Sequence, residues 1–501
     1  MQDPVFRLLF RVVVAAVAIL VLTTTYADPD LWGHVRFGLD IVSSGSLHAR
    51  DPYSFTSDRP WINHEWLSEA AMALAWRAGG SAGLVVLRIA IVVAAWLVVW
   101  WSLRRRASEW AADAILLFVI VGTAWVTVSV RPQLFSVLLF ALLLASLVKV
   151  EQGSRAAMLW WPAIMLVWVN VHGGWLLGLG MLAIPAAFAI VRAAPRERAL
   201  LVAACAASVL ATLVNPYGVG MWRFLAETVR LGRDIAEWQP ITSHPWSHVA
   251  MWVLSLTIGV AGSIAARHRS SGAPEPGAPY VRVYAYAAMA AMLAYASWRV
   301  ARLDAFFCLA VAMLLAPRLA PHRDAAAARS PRPAGPVWIV VAASALVIFW
   351  PVLARARTQL PCIEIEGDWR PDAGAAAFII REPLRGRMLT WFDWGEYAIW
   401  HFTPAVQVSM DGRRETVYSP ETIEAHFAFY RGEPAGRDLP RMLQAEYLWL
   451  PRSLPVVPSL SADGWQPLFE SARSIVFARS ADKVYRTGGS DPPSRRCFPG
   501  P

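Results

Sequence analysis

Apolar runs of membrane-crossing length recur along this chain, and they constrain its fold more than any other feature. A spanning helix needs about 20 mostly apolar residues. Candidate spans, about eleven in all, lie near 5–26, 83–103, 110–130, 132–149, 156–171, 174–192, 198–214, 249–266, 279–297, 303–317 and 336–355. Lipid offers the backbone no hydrogen bonds, so such runs must be helical. The expected fold is therefore a polytopic α-helical membrane protein. Composition agrees: 56% of residues are hydrophobic and only 16% are charged. The net charge of +10 does not point to nucleic acid, because the arginines sit in short clusters between apolar runs, as in cytoplasmic loops. No small-residue cleavage site follows the first run, which reads as a retained helix rather than a removed signal.

Charge sets the expected topology. The basic groups are Arg7 and Arg11; Arg104, Arg105 and Arg106; Lys149 and Arg155; Arg192, Arg196 and Arg198; Arg267 and Arg269; and Arg318, Arg323, Arg329 and Arg332. They fall in alternate loops, which the positive-inside rule assigns to the cytoplasm. The segment 215–248 weakens the pattern: it is expected outside yet carries Arg223, Arg230 and Arg233. With an odd number of spans the C-terminal region lies outside the cell membrane. The expected organisation is a membrane domain over 1–355, with outer loops at 27–82 and 215–248. An outer α/β domain over 356–484 and a loose tail over 485–501 follow. Cys205 and Cys308 lie in apolar runs and read as packing residues. Cys362 and Cys497 flank the outer region, where an oxidising environment permits a disulfide.

The unusual polar residues collect at the expected outer ends. Asp28, Asp30 and His34 follow the first run in "DPDLWGH", and Asn63, His64 and Glu65 lie in "WINHEW". Arg131 and Gln133 lie in "VRPQLF", Asn170 and His172 in "WVNVHGGW", Asn215 in "NPYG" and Glu237 in "AEWQP". Arg299 and Arg302 lie between the ninth and tenth runs. Each has an ordinary structural reading. An Asp can end a helix, "NPYG" is a good turn, and "HGG" suits close helix packing. Ionisable groups near membrane depth nonetheless usually face a cavity. Their collection on one side predicts a shared, outward-facing polar cavity.

An acidic pair after the first span, a long outer loop through "DPYSFTSDRPWINHEWLSEA", many spans and an outer soluble domain resemble the GT-C superfamily of membrane glycosyltransferases. The nearest likeness is to its bacterial branch of protein mannosyltransferases and lipid A aminoarabinose transferases. "DPDLWGHVRFG", "WINHEW", "RPQLFS", "WVNVHGGW", "NPYG" and "DWGEYAIW…VSMDGR" carry the resemblance in order along most of the chain. The strict Asp-Glu pair of many relatives is replaced here by Asp28-Pro29-Asp30. The resemblance implies a polyprenyl-phosphate-linked sugar donor and transfer on the extracytoplasmic face of the bacterial inner membrane. The acceptor is a hydroxyl on a glycan, lipid or protein. No Gly-rich nucleotide loop is present.

Glycosyl transfer needs a base, a held sugar and a phosphate that can leave. A carboxylate near the acceptor hydroxyl serves as general base. By the resemblance that is Asp28 or Asp30, with Glu65 as the second carboxylate; the residues alone do not choose between the aspartates. Arginine forks suit phosphate oxygens, which makes Arg131, Arg299 and Arg302 the candidates, with His64 and His172 assisting. No cofactor is implied. A divalent metal on Asp28, Asp30 and His34 is compatible with their donor atoms, although the spacing is not that of a dedicated site. Two other classes fit a polytopic envelope protein: a transporter or flippase for lipid-linked saccharides, and a non-catalytic assembly protein. Transporters keep their polar sites near the midplane and show internal repeats, which are not evident here.

In the C-terminal region "DAGAAAFIIREP" and "SPETIEAHFAFYRG" read as helices. "RMLTWF", "YAIWHF", "AVQVSMD", "EYLWLP" and "SIVFARS" read as strands. "DGRR" at 411–414 reads as a turn, and Asp393, Glu396 and Asp411 are candidate contacts to an acceptor sugar.

Overall fold

The computed structural model describes residues 4–190, 194–228, 236–270, 279–320, 362–479 and 495–500, with a few positions between 343 and 360. The expected span at 336–355 and Arg192, Arg230, Arg233, Arg323, Arg329 and Arg332 fall wholly or largely outside the described residues. The chain divides into two compact units. One comprises Met1–Thr24 and Val86–Leu360, the other Thr25–Val85 and Pro361–Pro501.

The first unit is helical. Every expected span from 5 to 317 carries helix, including Pro4–Thr23, Glu109–Gly122, Gln133–Glu151, Trp160–Val171, Trp175–Ile190, Pro195–Ala211, Trp246–Ser270 and Pro279–Arg299. Over the whole chain, four described helices are long and apolar enough to cross a bilayer: Val5–Thr23, Trp66–Leu103, Gln133–Glu151 and Trp246–His268. Most of the others are shorter or interrupted, although Pro279–Arg299 runs for 21 residues. The expected span at 303–317 is an α-helix over Asp304–Ala310, a π turn over Val311–Leu315 and a 3-10 turn over Ala316–Arg318, where Pro317 cannot continue the ladder. Arg88 is fully buried in this unit. Its Nη1 donates to the carbonyls of Thr24 and Thr127, each at 2.8 Å, and its Nη2 donates to Leu22. A cation here satisfies carbonyls that the end of the Pro4–Thr23 helix leaves open.

The second unit is built on a five-stranded mixed sheet. The strands are β1 (Gly386–Thr390), β2 (Val406–Val408), β3 (Tyr447–Pro451), β4 (Gln466–Glu470) and β5 (Ser474–Ala478), in the order β2-β1-β3-β5-β4. β1 runs parallel to β2 and β3; β5 runs antiparallel to β3 and β4. Asp372 caps the Ala373–Arg381 helix, and Ser419 caps Pro420–Tyr430. "YAIWHF" is not a strand; it belongs to the Gly395–Phe402 helix. All of Gly395–Ile399 is buried. A helix buried on every side loses the polar face that marks a 3.6-residue period, so its aromatic content mimics a strand. β4 went unread because "QPLFE" is short, with a proline.

The Leu31–Ser44 helix packs against Gly395–Phe402 around Trp32, which has no exposed surface. Its ring lies 5.2–6.1 Å from those of Phe498, Tyr397 and Trp369. Its Nε1 donates to Pro499 O at 2.7 Å. Residues 495–500 are held rather than loose: Cys362 and Cys497 form a disulfide. The Trp66–Leu103 helix breaks at Gly79 and Gly80, and Gly80 takes φ +56°, which only glycine adopts without strain.

Candidate functional site

Two polar clusters form, one in each unit. In the second unit the chain enters through a parallel bridge between Tyr26 and Glu364 and turns at Asp28. Asp28 is buried, and its Oδ1 accepts the Asp30 backbone N–H at 3.0 Å. It therefore shapes the turn that starts the Leu31–Ser44 helix. Asp30 occupies the N-cap position but makes no side-chain capping bond. Its Oδ1 lies against Gly412 Cα, so closely that a side chain at 412 would collide with it. A Cβ at 412 would also lie 3.1 Å from Glu396 Oε1, and a side chain at Gly33 would collide with Glu396 Oε2. Two glycines, one in "DLWGH" and one in "DGRR", thus leave room for two carboxyl groups.

Glu396 is 3% exposed, and its Oε2 has no hydrogen-bond partner among the described residues. Burial, then the charges of Asp30 and Asp411, hold its carboxyl well above the usual range against the pull of Arg413. Asp393 receives a hydrogen bond from Trp391 Nε1 at 3.2 Å. Burial and the charge of Asp30 push it up to about 7. Asp411 is different. Arg413 bonds it at 2.6 and 2.8 Å, and Tyr418 OH donates at 2.8 Å. Burial opposes its charge, but Arg413 outweighs burial and keeps Asp411 ionised. Arg413 also forks onto both oxygens of Asp51, at 2.7 and 2.9 Å, with its guanidinium 4.7 Å from the ring centres of Phe37 and Trp61. "DGRR" is thus a turn whose first arginine pins the loop at Asp51.

His34, four residues after Asp30, takes the other direction. Its Nδ1 lies 3.2 Å from Glu69 Oε1 and 3.9 Å from Glu65 Oε2. Asn63 Nδ2 donates to Glu69 Oε2 at 2.5 Å, and His64 Nε2 lies 3.6 Å from Glu65. Burial disfavours the imidazolium, yet the bond to Glu69 and the charges of Glu65, Glu69 and Asp30 raise His34 to about 9. Among the described residues, the three groups close enough to share a cation are His34, Glu65 and Glu69, not His34 with Asp28 and Asp30. A cation there would have to displace the His34 proton. Glu69 was missed in the sequence; its signal is the i,i+4 spacing from Glu65, which puts both on one helix face.

The cluster of the first unit is basic. Arg131 Nη1 bonds the Glu237 carboxylate, and Arg302 Nη1 lies 3.9 Å from its other oxygen. Burial would raise the Glu237 carboxyl, but Arg131 and Arg302 hold it below its ordinary value. Arg302 Nε donates to Gln133 Oε1 at 3.2 Å, and its Nη2 lies 3.3 Å from His172 Nε2. His172 Nδ1 accepts the Gly174 N–H at 3.0 Å and lies 2.7 Å from Ser136 Oγ, to which Trp168 Nε1 donates at 2.6 Å. Gln133 is buried, and its Nε2 has no hydrogen-bond partner among the described residues. Arg131, Gln133, His172, Glu237 and Arg302 thus meet. Three other candidates do not join them. Arg299 stands exposed at the end of its helix. Asn170 Nδ2 ties the carbonyls of Leu166 and Val214, at 2.9 and 3.0 Å. Asn215 Oδ1 accepts Tyr217 N–H at 2.8 Å within its turn.

No protein-family model matches the chain, and no curated protein matches it by sequence. Solved structures do. The chain is similar to the apo oligosaccharyltransferase of Archaeoglobus fulgidus, with a TM-score of 0.58 and 12% identity over 95% of this chain and 75% of that one. The same enzyme tethered to an acceptor peptide containing an NVT sequon gives a TM-score of 0.55 at 13% identity, covering 99% of this chain and 76% of that one. ArnT from Cupriavidus metallidurans, bound to undecaprenyl phosphate, gives 0.52 at 13% identity, covering 95% of this chain and 98% of that one. At such identities the likeness establishes the fold.

Proposed function

From a fold shared with GT-C membrane glycosyltransferases, we propose that this protein transfers a sugar from a polyprenyl-phosphate donor to a hydroxyl acceptor. The reaction takes place on the extracytoplasmic face of a bacterial inner membrane. About eleven spans, the number allowed by runs of about 20 apolar residues, put the C-terminal sheet outside, and the Cys362–Cys497 disulfide suits that compartment. The undecaprenyl phosphate bound to the ArnT neighbour supports a lipid-phosphate-linked donor.

The observation that carries this reading is the division of labour between the two aspartates. Asp28 holds the turn, whereas Asp30 sits at a helix N-terminus without capping it. Asp30 is then the base: it takes the acceptor proton as the hydroxyl oxygen bonds the anomeric carbon. The bond from that carbon to phosphate oxygen breaks, and its electron pair leaves on the phosphate. Arg131 and Arg302 stabilise that charge, with Gln133 and His172 completing the donor set. Glu237 occupies both arginines at rest, so an incoming phosphate exchanges with a carboxylate. Glu65, with His34, His64 and Asn63, braces the first outer loop, and a divalent ion at His34, Glu65 and Glu69 would supply further positive charge there.

The test is mass spectrometry of cell-envelope glycans, glycolipids and glycoproteins from cells with and without the gene. A single sugar mass on one acceptor class, lost with the gene, is the expected result. An accumulating lipid-linked saccharide without loss of a glycosyl linkage would instead indicate transport.

A further inference from the structure

We propose that Trp101, Arg104, Arg105 and Lys149 form a binding site for the headgroup of an anionic phospholipid, within the first unit. Two helices long and apolar enough to cross a bilayer, Trp66–Leu103 and Gln133–Glu151, end together here. Lys149, in the last turn of the second, places its Nζ 4.8 Å from the Trp101 ring centre. The Arg104 guanidinium carbon lies 5.5 Å from the Trp100 ring centre and 5.6 Å from that of Trp101. One indole thus gathers two cations from two helix ends. Arg131 lies just before the Gln133–Glu151 helix, so about 27 Å of helix axis separates it from Lys149 at 1.5 Å per residue. The site is therefore distinct from the Arg131–Arg302 cluster and does not depend on the proposed reaction.

Cations gathered at one ring repel each other unless an anion sits among them. The described carboxylates near these helix ends already have partners. Glu109 and Asp113 accept from Arg11, at 3.1 and 2.7 Å. Glu151 accepts from Arg318 Nη2 at 2.7 Å and from Tyr286 OH at 3.1 Å. Glu197 accepts from Arg155 Nη2 at 2.8 Å. Arg106 donates to Met313 O at 2.6 Å. Arg104, Arg105 and Lys149 make no ion pair among the described residues.

Exposure selects the occupant. Arg104 and Arg105 are exposed, and Lys149 is half-buried. Trp101 is 50% exposed; Leu97, one turn earlier on the same helix face, is 56% exposed. An apolar stripe therefore runs up to unpaired cations. A ligand that satisfies both has acyl chains and an anionic headgroup, as acidic phospholipids do. Indole rings at the end of a span lie at headgroup depth, and long basic side chains reach past them toward phosphate. A soluble phosphate would leave Leu97 and Trp101 uncovered.

The test uses full-length protein purified in neutral detergent and titrated with phosphatidylglycerol or phosphatidylcholine. Bound lipid is counted by native mass spectrometry, and variants are compared at matched melting temperature without added lipid. Phosphatidylglycerol should bind at least about tenfold more tightly; equal retention of the two lipids would overturn the proposal. Arg104→Gln and Lys149→Gln should each weaken phosphatidylglycerol about fivefold, and together about thirtyfold. Trp101→Leu keeps an apolar residue at the bilayer but removes the shared ring, so binding should weaken about two- to fivefold. Unchanged binding in all three variants would overturn the site. Arg155→Gln removes a basic residue already bonded to Glu197 and should leave binding unchanged. A loss equal to that of Arg104→Gln would reveal a diffuse charge effect and overturn a built site. Glycerol phosphate, which lacks acyl chains, should not displace the lipid at equal concentration; displacement would mean a soluble anion is the ligand, against the proposal.

Discussion

The two polar clusters differ in sign and in how they are stabilised. In the unit of Thr25–Val85 and Pro361–Pro501, acids gather: Asp28, Asp30, Asp393, Glu396 and Asp411. Arg413 is committed to Asp411 and Asp51, and burial with the charge of Asp30 raises the carboxyls of Glu396 and Asp393. In the unit of Met1–Thr24 and Val86–Leu360, Arg131 and Arg302 share a single carboxylate, Glu237. The first cluster raises two of its carboxyls, and the second pairs two arginines with Glu237. The function proposed above assigns base chemistry to the former and phosphate recognition to the latter.

Substitutions can separate these two modes. Arg413→Met should have the largest effect on stability. It strands Asp51 and Asp411 in a buried site, at a cost of about 3–5 kcal/mol, read as a lowered melting temperature of the full chain. If the melting temperature held, the acid cluster would not depend on that fork. Cys497→Ser should cost about 2–5 kcal/mol by releasing residues 495–500 from Trp32 and His401, whose nitrogens bond Pro499 O. An unchanged melting temperature would mean the strap is held by packing alone.

A third prediction concerns pH. His34 is raised from 6.5 to about 9 in the folded protein. Its contribution to stability is full below the unfolded value and is lost as pH rises through about 9. Melting temperature should therefore fall between pH 6.5 and about 9, and His34→Gln should flatten that slope. A slope that survives the substitution would locate the titration elsewhere. The smallest effect is expected in the basic cluster. Glu237→Gln should leave melting unchanged and tighten binding of undecaprenyl phosphate by up to about tenfold, or about 1.4 kcal/mol. Weaker binding would show that Glu237 orients the arginines rather than competing for them.

Much of the helical plan was legible because apolar runs and loop arginines follow directly from bilayer physics. Shared position at run ends led to the expectation of one polar cavity; Arg131, Gln133, His172, Glu237 and Arg302 meet, while Arg299, Asn170 and Asn215 do not join them. What the sequence hid depends on distant chain. Glu396 lies in the first turn of a helix whose residues 397–402, "YAIWHF", were read as a strand, because Gly395–Ile399 is buried on all sides. Its approach to Asp30 depends on Gly33 and Gly412, which are 379 positions apart in sequence. Asp51 drew no reading of its own, because its partner Arg413 lies 362 positions away. The roles of Asp28 and Asp30 could not be told apart from "DPD", since only the turn geometry shows which carboxylate holds the backbone.

That distinction is also the most direct test. Cells lacking the gene are complemented with Asp28→Asn or Asp30→Asn, and the gene-dependent glycan is quantified at equal protein abundance. Asn at 28 keeps an oxygen to accept the residue-30 N–H, so product should fall less than about tenfold. Asn at 30 removes the base, so product should fall about 10²–10⁴-fold. Full product from Asp30→Asn, with loss from Asp28→Asn, would contradict the assignment of Asp30 as the base.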